Sequence, residues 1–488
     1  MPFTPQGILK AVVRLSPWVI LSKTLGFSIP FVIAYLYGVS WVTDTFFYTL
    51  AIPTFIVVIT ANSASNVYLP ALTLANQVGG NTLAQLSLNV AQYTAALSTV
   101  LAIFVGLVTS LLLFFTPNQT PESLTLSVQF WGALLPYVFC IGLNASFKPS
   151  CDVLGQFIAA PISGIARALV VLVVLVSGES VFGVLALPVS FSLGEVTRSV
   201  LLWWWVQRTA TPVTLSVRPT PETIEMLWQT RPLLVAELLI ASTIVSDKIF
   251  SSWLDTGQLS VLEYSDKLRL APQLLIEATL IPIAFTSWAA LFSRKQVTAM
   301  MDSVQRMTAQ ILLILTPILC ICMIWRIELV QGVLGGTGMM PQHLAQIAEL
   351  FGAFLPGVLF LVVGTFAFKI HVLHRRWRLI LTASGLAATL NMTLNFIWFE
   401  SLGIAGIVLA SLVAWGSLAV LYQWKLRTAY PKTYRLGPEL FLSFSTTSTV
   451  CLISLLYEAQ IVAFIVLAIG TSTAIGLRRF RHLSTPSH

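Results

Sequence analysis

A run of about 20 apolar residues carries an α-helix across a hydrocarbon layer, and this chain repeats such runs from end to end. Breaks at Pro, Gly and charged residues divide it into about fourteen segments: 11–38, 46–69, 84–115, 124–147, 156–177, 182–206, 228–253, 261–291, 298–325, 344–370, 378–399, 402–424, 438–457 and 460–477. Of the 488 residues, 56% are hydrophobic and 9% charged, whereas a soluble domain carries about 25% charged residues. A soluble fold is excluded, and the expected class is an all-α polytopic membrane protein. The first apolar run is too long for a cleavable signal peptide and ends at no small-residue cleavage site. The five cysteines, Cys140, Cys151, Cys320, Cys322 and Cys451, lie in or beside apolar segments without zinc or redox spacing and read as structural.

The net charge of +8 would suit a nucleic-acid binder, but its placement says otherwise. With both termini on the cytoplasmic side, the cytoplasmic ends and loops hold Lys10, Arg14, Lys148, Arg208, Arg218, Arg294, Lys295, Arg375, Arg376, Arg378, Lys425, Arg427, Lys432, Arg435, Arg478, Arg479 and Arg481, seventeen of the 27 Lys and Arg. The opposite side holds only Arg326. Such an asymmetry orients a polytopic protein in the membrane. The loops are short, and the longest, about 207–227, has no apolar core of its own. Function is therefore expected within the membrane, with no catalytic residues.

Two stretches share a plan. "YLYGVSWVTDTFFYTLAIP" (35–53) and "SWLDTGQLSVLEYSDKLRLAP" (252–272) each have a helix end, a Gly-containing turn, an acid and then Pro. Aligning Pro53 with Pro272 places Asp44 opposite Glu263. Both copies follow odd-numbered spans, so the repeats run in the same direction and are related by an axis along the membrane normal. The expected architecture is two pseudo-symmetric six-helix lobes around a central cavity. The N-terminal lobe is 1–207, a cytoplasmic linker 208–227, and the C-terminal lobe 228–427. Residues 428–488 add two helices and a basic tail.

Charges inside a span are costly, about 2.5–3.5 kcal/mol each at the bilayer centre on insertion scales, so their positions carry information. Lys23, Arg167, Arg198, Arg231, Lys248, Lys267, Arg269, Arg306 and Lys369 belong to neither set of loops. Arg231, Arg306 and Lys369 sit near cytoplasmic ends and are expected to snorkel. Arg198 follows Glu195 by three residues, a spacing that allows an ion pair within one helix. In the eighth span, Glu263, Asp266, Lys267, Gln273 and Glu277 share an arc of about 120° on a helical wheel, with Arg269 about 40° outside it. One such stripe faces a wet cavity; its rival reading is a self-neutralising cluster that only locks helices. Lys23, beside Ser22 in the middle of the first span, needs an anion, from Asp44, Asp266 or a substrate. Glu237 and Asp247 lie in the seventh span, and Asn391 and Asn395 are at i, i+4 in the eleventh. With Ser411, their oxygens suit a hard cation such as Na⁺; interhelical hydrogen bonding would use the same amides.

These motifs resemble a known family. "SKTLGF" followed by "YGVSWVTDTFF", then "DKIFSSWLDTGQLSVLEYSDKLRLAP" and "NMTLNFIWFESLGIAGIVLASLVAWGSLAVLYQWKLR", are similar to the corresponding stretches of the lipid II flippases (the MurJ/MviN family) of the multidrug/oligosaccharidyl-lipid/polysaccharide exporter superfamily, in the same order. The resemblance implies a monomeric transporter in the bacterial inner membrane that turns an undecaprenyl-diphosphate-linked glycan across the bilayer by alternating access, for cell-wall synthesis. It places Lys23, Asp44 and Lys267 at polar cavity positions of the family, and Asp247, Asn391, Asn395, the Ile407 carbonyl and Ser411 where some members bind Na⁺. Together with Asp266 and Arg269 from the charged stretch of the eighth span, the first three are the expected substrate contacts; Ser22, Glu263, Gln273 and Glu277 are expected to line the cavity, with Na⁺ or H⁺ as the coupling ion and no other cofactor.

The chain departs from the family where Lys23 and Lys267 replace arginines, trading bidentate forks for point charges. Ile29 stands where a second arginine is common, and "VVITANSAS", with Val57 and Val58, replaces a basic stretch. Rival readings are an O-antigen or exopolysaccharide flippase, a cation-coupled drug antiporter and a membrane glycan-processing enzyme.

Overall fold

A chain segment that cannot hydrogen-bond to lipid has the helix as its only open structure, and the computed structural model follows that rule. It describes residues 5–63, 80–114, 120–208, 231–431 and 437–456, with a few isolated positions between them. Those residues form α1 (Pro5–Tyr37), α2 (Trp41–Ser63), α3 (Gly80–Phe114), α4 (Pro121–Val153), α5 (Ala159–Ser177), α6 (Glu179–Phe182), α7 (Ala186–Gln207), α8 (Arg231–Ser252), α9 (Gln258–Ser293), α10 (Val297–Ile324), α11 (Arg326–Leu334), α12 (Pro341–Leu373), α13 (Trp377–Ala429) and α14 (Gly437–Leu456). Among the described residues, nine helical stretches are long and apolar enough to cross a membrane. The fourteenth expected span, 460–477, lies outside the described residues. The chain is an all-helical polytopic membrane protein.

Helix ends follow local chemistry. Pro121 opens α4 behind a capping box in which Thr120 and Ser123 exchange side-chain and backbone hydrogen bonds. The eleventh and twelfth expected spans run together in α13, but Gly403, at φ 58°, breaks the helix between them, a conformation that costs a glycine no Cβ clash. Three turns share one hydrogen-bond pattern at the ends of α4, α9 and α12. Gly155, Lys295 and Arg375 adopt positive φ, and the residue after each donates to a carbonyl five positions back, as in Gln156 to Cys151, Gln296 to Leu291 and Arg376 to His371. This is the Schellman closure, and two of its three left-handed residues are basic.

The helices group into two compact units, Met1–Ser260 and Val261–His488. In the first, small residues let helices approach closely: a Cβ on Gly142 of α4 would meet the backbone of Ala95 in α3. On the same interface Ser146 donates to the Ser87 carbonyl (2.9 Å) and Ser150 to the Ser87 hydroxyl (2.7 Å). Phe46 of α2 packs edge-on against Phe130 and Phe191. Helix α8, the seventh span of the sequence, packs on α2 within this unit.

In the second unit α12 packs along α13 and α10 along α14. Arg326, the lone basic residue expected on the far side, is buried and donates to the Ser454 carbonyl near the end of α14 (2.9 Å). A cation there satisfies a helix C-terminus. Large exposed apolar side chains, such as Phe104 on α3, Val173 on α5, Ile314 on α10 and Phe396 on α13, present the surface that lipid covers.

Candidate functional site: the intramembrane polar groups

In the first unit, Asp44 lies in the first turn of α2 and reaches the start of α9. Its carboxylate accepts from the backbone N–H of Gly257 and of Ser260 (2.8 Å) and from the Ser260 hydroxyl, which also donates to Thr43 Oγ1 (2.8 Å). The first N–H groups of a helix have no partner within it, so Asp44 serves as a capping acid supplied from another helix. The turn it grips needs glycine: Gly257 has φ 96°, and a Cβ there would strike Val39. Gly38, which ends α1, has φ 60°. Each of these glycines lies fifteen residues before the Pro of its own repeat copy, Pro53 or Pro272. The two related turns therefore meet, and the acid of the first holds the helix that follows the second.

Lys23 lies exposed on α1. Its neighbour Ser22 is half-buried against α5, where a Cβ on Gly164 would overlap its hydroxyl. Lys248, which the sequence marks only as an intramembrane cation, is buried with its ammonium 5.9 Å from the Phe47 ring centre. Glu195, 2% exposed, is the centre of a cluster that the sequence shows only in part. Arg198 pairs with it along α7 at 3.1 Å, as the spacing suggests, and Arg167 of α5 pairs with its other oxygen at 2.5 Å. Asn144 of α4 donates to it as well (2.9 Å), so this group ties three helices together.

In the second unit, the α9 stripe resolves into two ion pairs of unlike character. Lys267 Nζ sits 2.7 Å from Glu263 Oε1 on the next turn, and the lysine side chain is 26% exposed. Arg269 is 5% exposed. It donates to Asp266 Oδ1 through Nε (2.8 Å) and Nη2, and to Gln273 Oε1 through Nη1 (2.8 Å). Its guanidinium lies 4.7 Å from the Trp415 ring centre and 5.5 Å from that of Phe354. Asp266 keeps 28% of its side chain exposed. Arg269 is thus held in an aromatic and carboxylate cage, while Asp266 and Lys267 remain open to solvent. Glu277 is on the same helix, and its side chain lies outside the described residues.

The break at Gly403 brings the two halves of α13 together. Asn391 donates to Ser411 (3.3 Å) and Asn395 to Asn391 (3.3 Å), with all three buried, and Ile407 is buried one turn before Ser411. This cluster offers amide and hydroxyl oxygens. Asp247, the acid of the expected cation set, is half-buried on α8 of the first unit. Among the described residues no three His, Cys, Asp or Glu side chains converge as metal ligands.

The family model described as "Lipid II flippase MurJ" matches residues 33–474. The chain belongs to the lipid II flippase family. A curated relative, the probable lipid II flippase MurJ of Buchnera aphidicola subsp. Acyrthosiphon pisum, is 22% identical over 302 residues, 58% of this chain and 57% of the relative; the match spans little over half of that protein's length. Among solved structures, a lipid II flippase MurJ in an inward closed conformation superposes with TM-score 0.76 at 14% identity, over 97% of this chain and all of that one. An inward-facing multidrug resistance transporter of the MATE family, from the same superfamily, gives 0.67 at 14% identity, over 87% of this chain and all of that one. The family match and the shared fold agree with the resemblance drawn from the quoted stretches.

Proposed function

We propose that this chain is a flippase carrying an undecaprenyl-diphosphate-linked glycan, lipid II or a closely related envelope precursor, across the bacterial cytoplasmic membrane by alternating access. Family membership over residues 33–474 supports the transport class. The observation that carries the site is the pairing of half-open Lys267 with Glu263 on its own helix. The pair is half-buried, with the Glu263 carboxylate inside and the Lys267 side chain partly exposed, so a diphosphate that brings more negative charge and approaches from the open side can take the ammonium from the carboxylate. Lys23, exposed on α1, supplies a second cation. Binding that exchanges partners in one conformation and not in another shifts the balance between them, as any ligand with differential affinity must.

In this reading Arg269 positions rather than binds: locked between Trp415 and Phe354, it holds Asp266 in place beside Lys267. The proposed orientation puts both termini in the cytoplasm, with the basic Schellman turns at Lys295 and Arg375 on the cytoplasmic face. A monomer suffices. For coupling, Asn391, Asn395 and Ser411 are oxygen donors suited to Na⁺, with Asp247 as the acid, and H⁺ is the alternative ion. The membrane potential, about 2.3 kcal/mol per charge per 100 mV, can return the empty carrier.

The test is reconstitution with fluorescent lipid-linked glycans and a quencher confined to one side. Movement of lipid II that fails in Lys267→Ala supports the reading. Movement of other glycans only would assign the chain to an O-antigen or exopolysaccharide route, and ion-driven dye efflux without lipid movement would make it a drug antiporter. Transport with and without a Na⁺ gradient tests the coupling ion.

A further inference from the structure

The first unit contains a cavity of about 290 Å³ where α2, α4 and α9 begin and α8 ends. It sits at the opposite end of the unit from the Schellman turn at Gly155, since α4 starts at the cavity and runs 33 residues to that turn, about 50 Å at the helical rise. Under the orientation proposed above, it faces the extracytoplasmic side, where the cargo's sugar arrives.

The wall has a consistent hydrogen-bonding character. Thr45 donates its hydroxyl proton to the Trp41 carbonyl (2.8 Å), Ser251 to the Asp247 carbonyl (2.6 Å) and Ser252 to the Ile249 carbonyl (2.7 Å). A hydroxyl that spends its one proton on the backbone offers lone pairs to a ligand. Glu122 and Asp255 add carboxylate oxygens, Asp44 spends its own on the α9 turn, and among the described residues neither Lys nor Arg lines the space. The wall therefore accepts hydrogen bonds and offers few in return. Its charge is moderated by position. Glu122 lies in the first turn of α4 and Asp44 in that of α2, and Asp255 precedes the start of α9 by three residues; a helix N-terminus offsets negative charge at each. Trp41, 43% exposed, and Tyr48 supply aromatic surface.

An acceptor-rich wall with an open indole fits a neutral molecule that carries many O–H donors on an apolar ring face, and disfavours a phosphate. The volume lies near the lower bound of about 300 Å³ for ligand pockets, enough for a single sugar ring. We propose that this cavity is a saccharide-docking site that receives one pyranose ring of the cargo's head group on the extracytoplasmic side. The assignment rests on the flippase reading for its cargo, and on the cavity alone for its ligand class.

Isothermal titration of the full-length protein in nanodiscs, with N-acetylglucosamine, methyl glucoside, n-butylamine and inorganic phosphate as separate probes, tests it. Saturable binding of a sugar is expected, weakened about tenfold by Glu122→Gln, which removes a charge-assisted acceptor while keeping its shape. Trp41→Ala should weaken it as well and Trp41→Phe should largely restore it, whereas Trp204→Ala, remote on α7, should leave it unchanged. Glu122→Gln is nearly isosteric, so the test survives if Trp41→Ala does not fold. No saturable sugar binding, sugar binding indifferent to both Glu122→Gln and Trp41→Ala, or binding of the amine in place of sugars would overturn the proposal. Transport assayed on the same preparations separates the two readings. Lipid-linked glycan moving without sugar binding would remove the docking site and keep the flippase; sugar binding without any lipid movement would do the reverse.

Discussion

Asp44 and Glu263 are the acids aligned by the Gly and Pro spacing of stretches 35–53 and 252–272, and they make contacts of opposite kinds. Asp44 reaches across more than two hundred residues to the backbone of Gly257 and Ser260 and to the Ser260 hydroxyl. Glu263 turns to Lys267 one turn along its own helix. The first arrangement joins two helices through N–H groups that would otherwise be orphaned, so breaking it leaves buried polar groups without partners. The second is local and half-buried, and in the proposed reading an anion replaces the carboxylate there. The same spacing of Gly, acid and Pro thus carries an interhelical latch in the first unit and a contact within one helix in the second.

That contrast can be broken most forcefully at Asp44. Asp44→Ala should lower unfolding stability by about 2 kcal/mol, the upper range for loss of a capping side chain, and Asp44→Asn should recover part of it. Thermal melting in detergent reads both, and an Ala variant that melts like the parent would mean that Asp44 does not latch α9. Next comes Arg269→Lys, which keeps the charge but loses the planar fork to Asp266 and Gln273 and the stacking on Trp415. A loss of about 1–2 kcal/mol is expected, with transport reduced through a misplaced Asp266; unchanged melting would show the cage to be unimportant. The smallest structural effect belongs to Glu263→Gln. Stability should fall by about 1 kcal/mol, since Gln still offers Lys267 a hydrogen-bond acceptor at this buried position, while half-saturation by lipid-linked glycan falls because Lys267 loses its resident competitor. A rise in that value would show that Glu263 supports the bound state instead of competing with it.

Much of this was legible in the sequence. Apolar run length gives the helices, the Gly403 break matches the expected gap between spans 11 and 12, and the three-residue spacing of Glu195 and Arg198 anticipates their pair. What periodicity cannot show is a partner distant along the chain. Arg167 as the second cation on Glu195, Trp415 and Phe354 around Arg269, and the amides that Asp44 accepts from all depend on tertiary packing. One sign was present: Arg269 lies about 40° off the polar stripe on the helical wheel, and it is the member that packs against the Trp415 and Phe354 rings. The cavity lined by Trp41 and Glu122 left no motif, because its Ser and Thr lie in ordinary helix starts and ends.

The most direct test of the account is the translocation rate of fluorescent lipid II in proteoliposomes, with the parent chain compared with Lys267→Ala and Lys23→Ala at matched reconstitution. Loss of movement in both variants, each still folded and reconstituted at the parent's level, is the predicted result. Full transport by both variants would contradict the claim that these two ammonium groups hold the diphosphate.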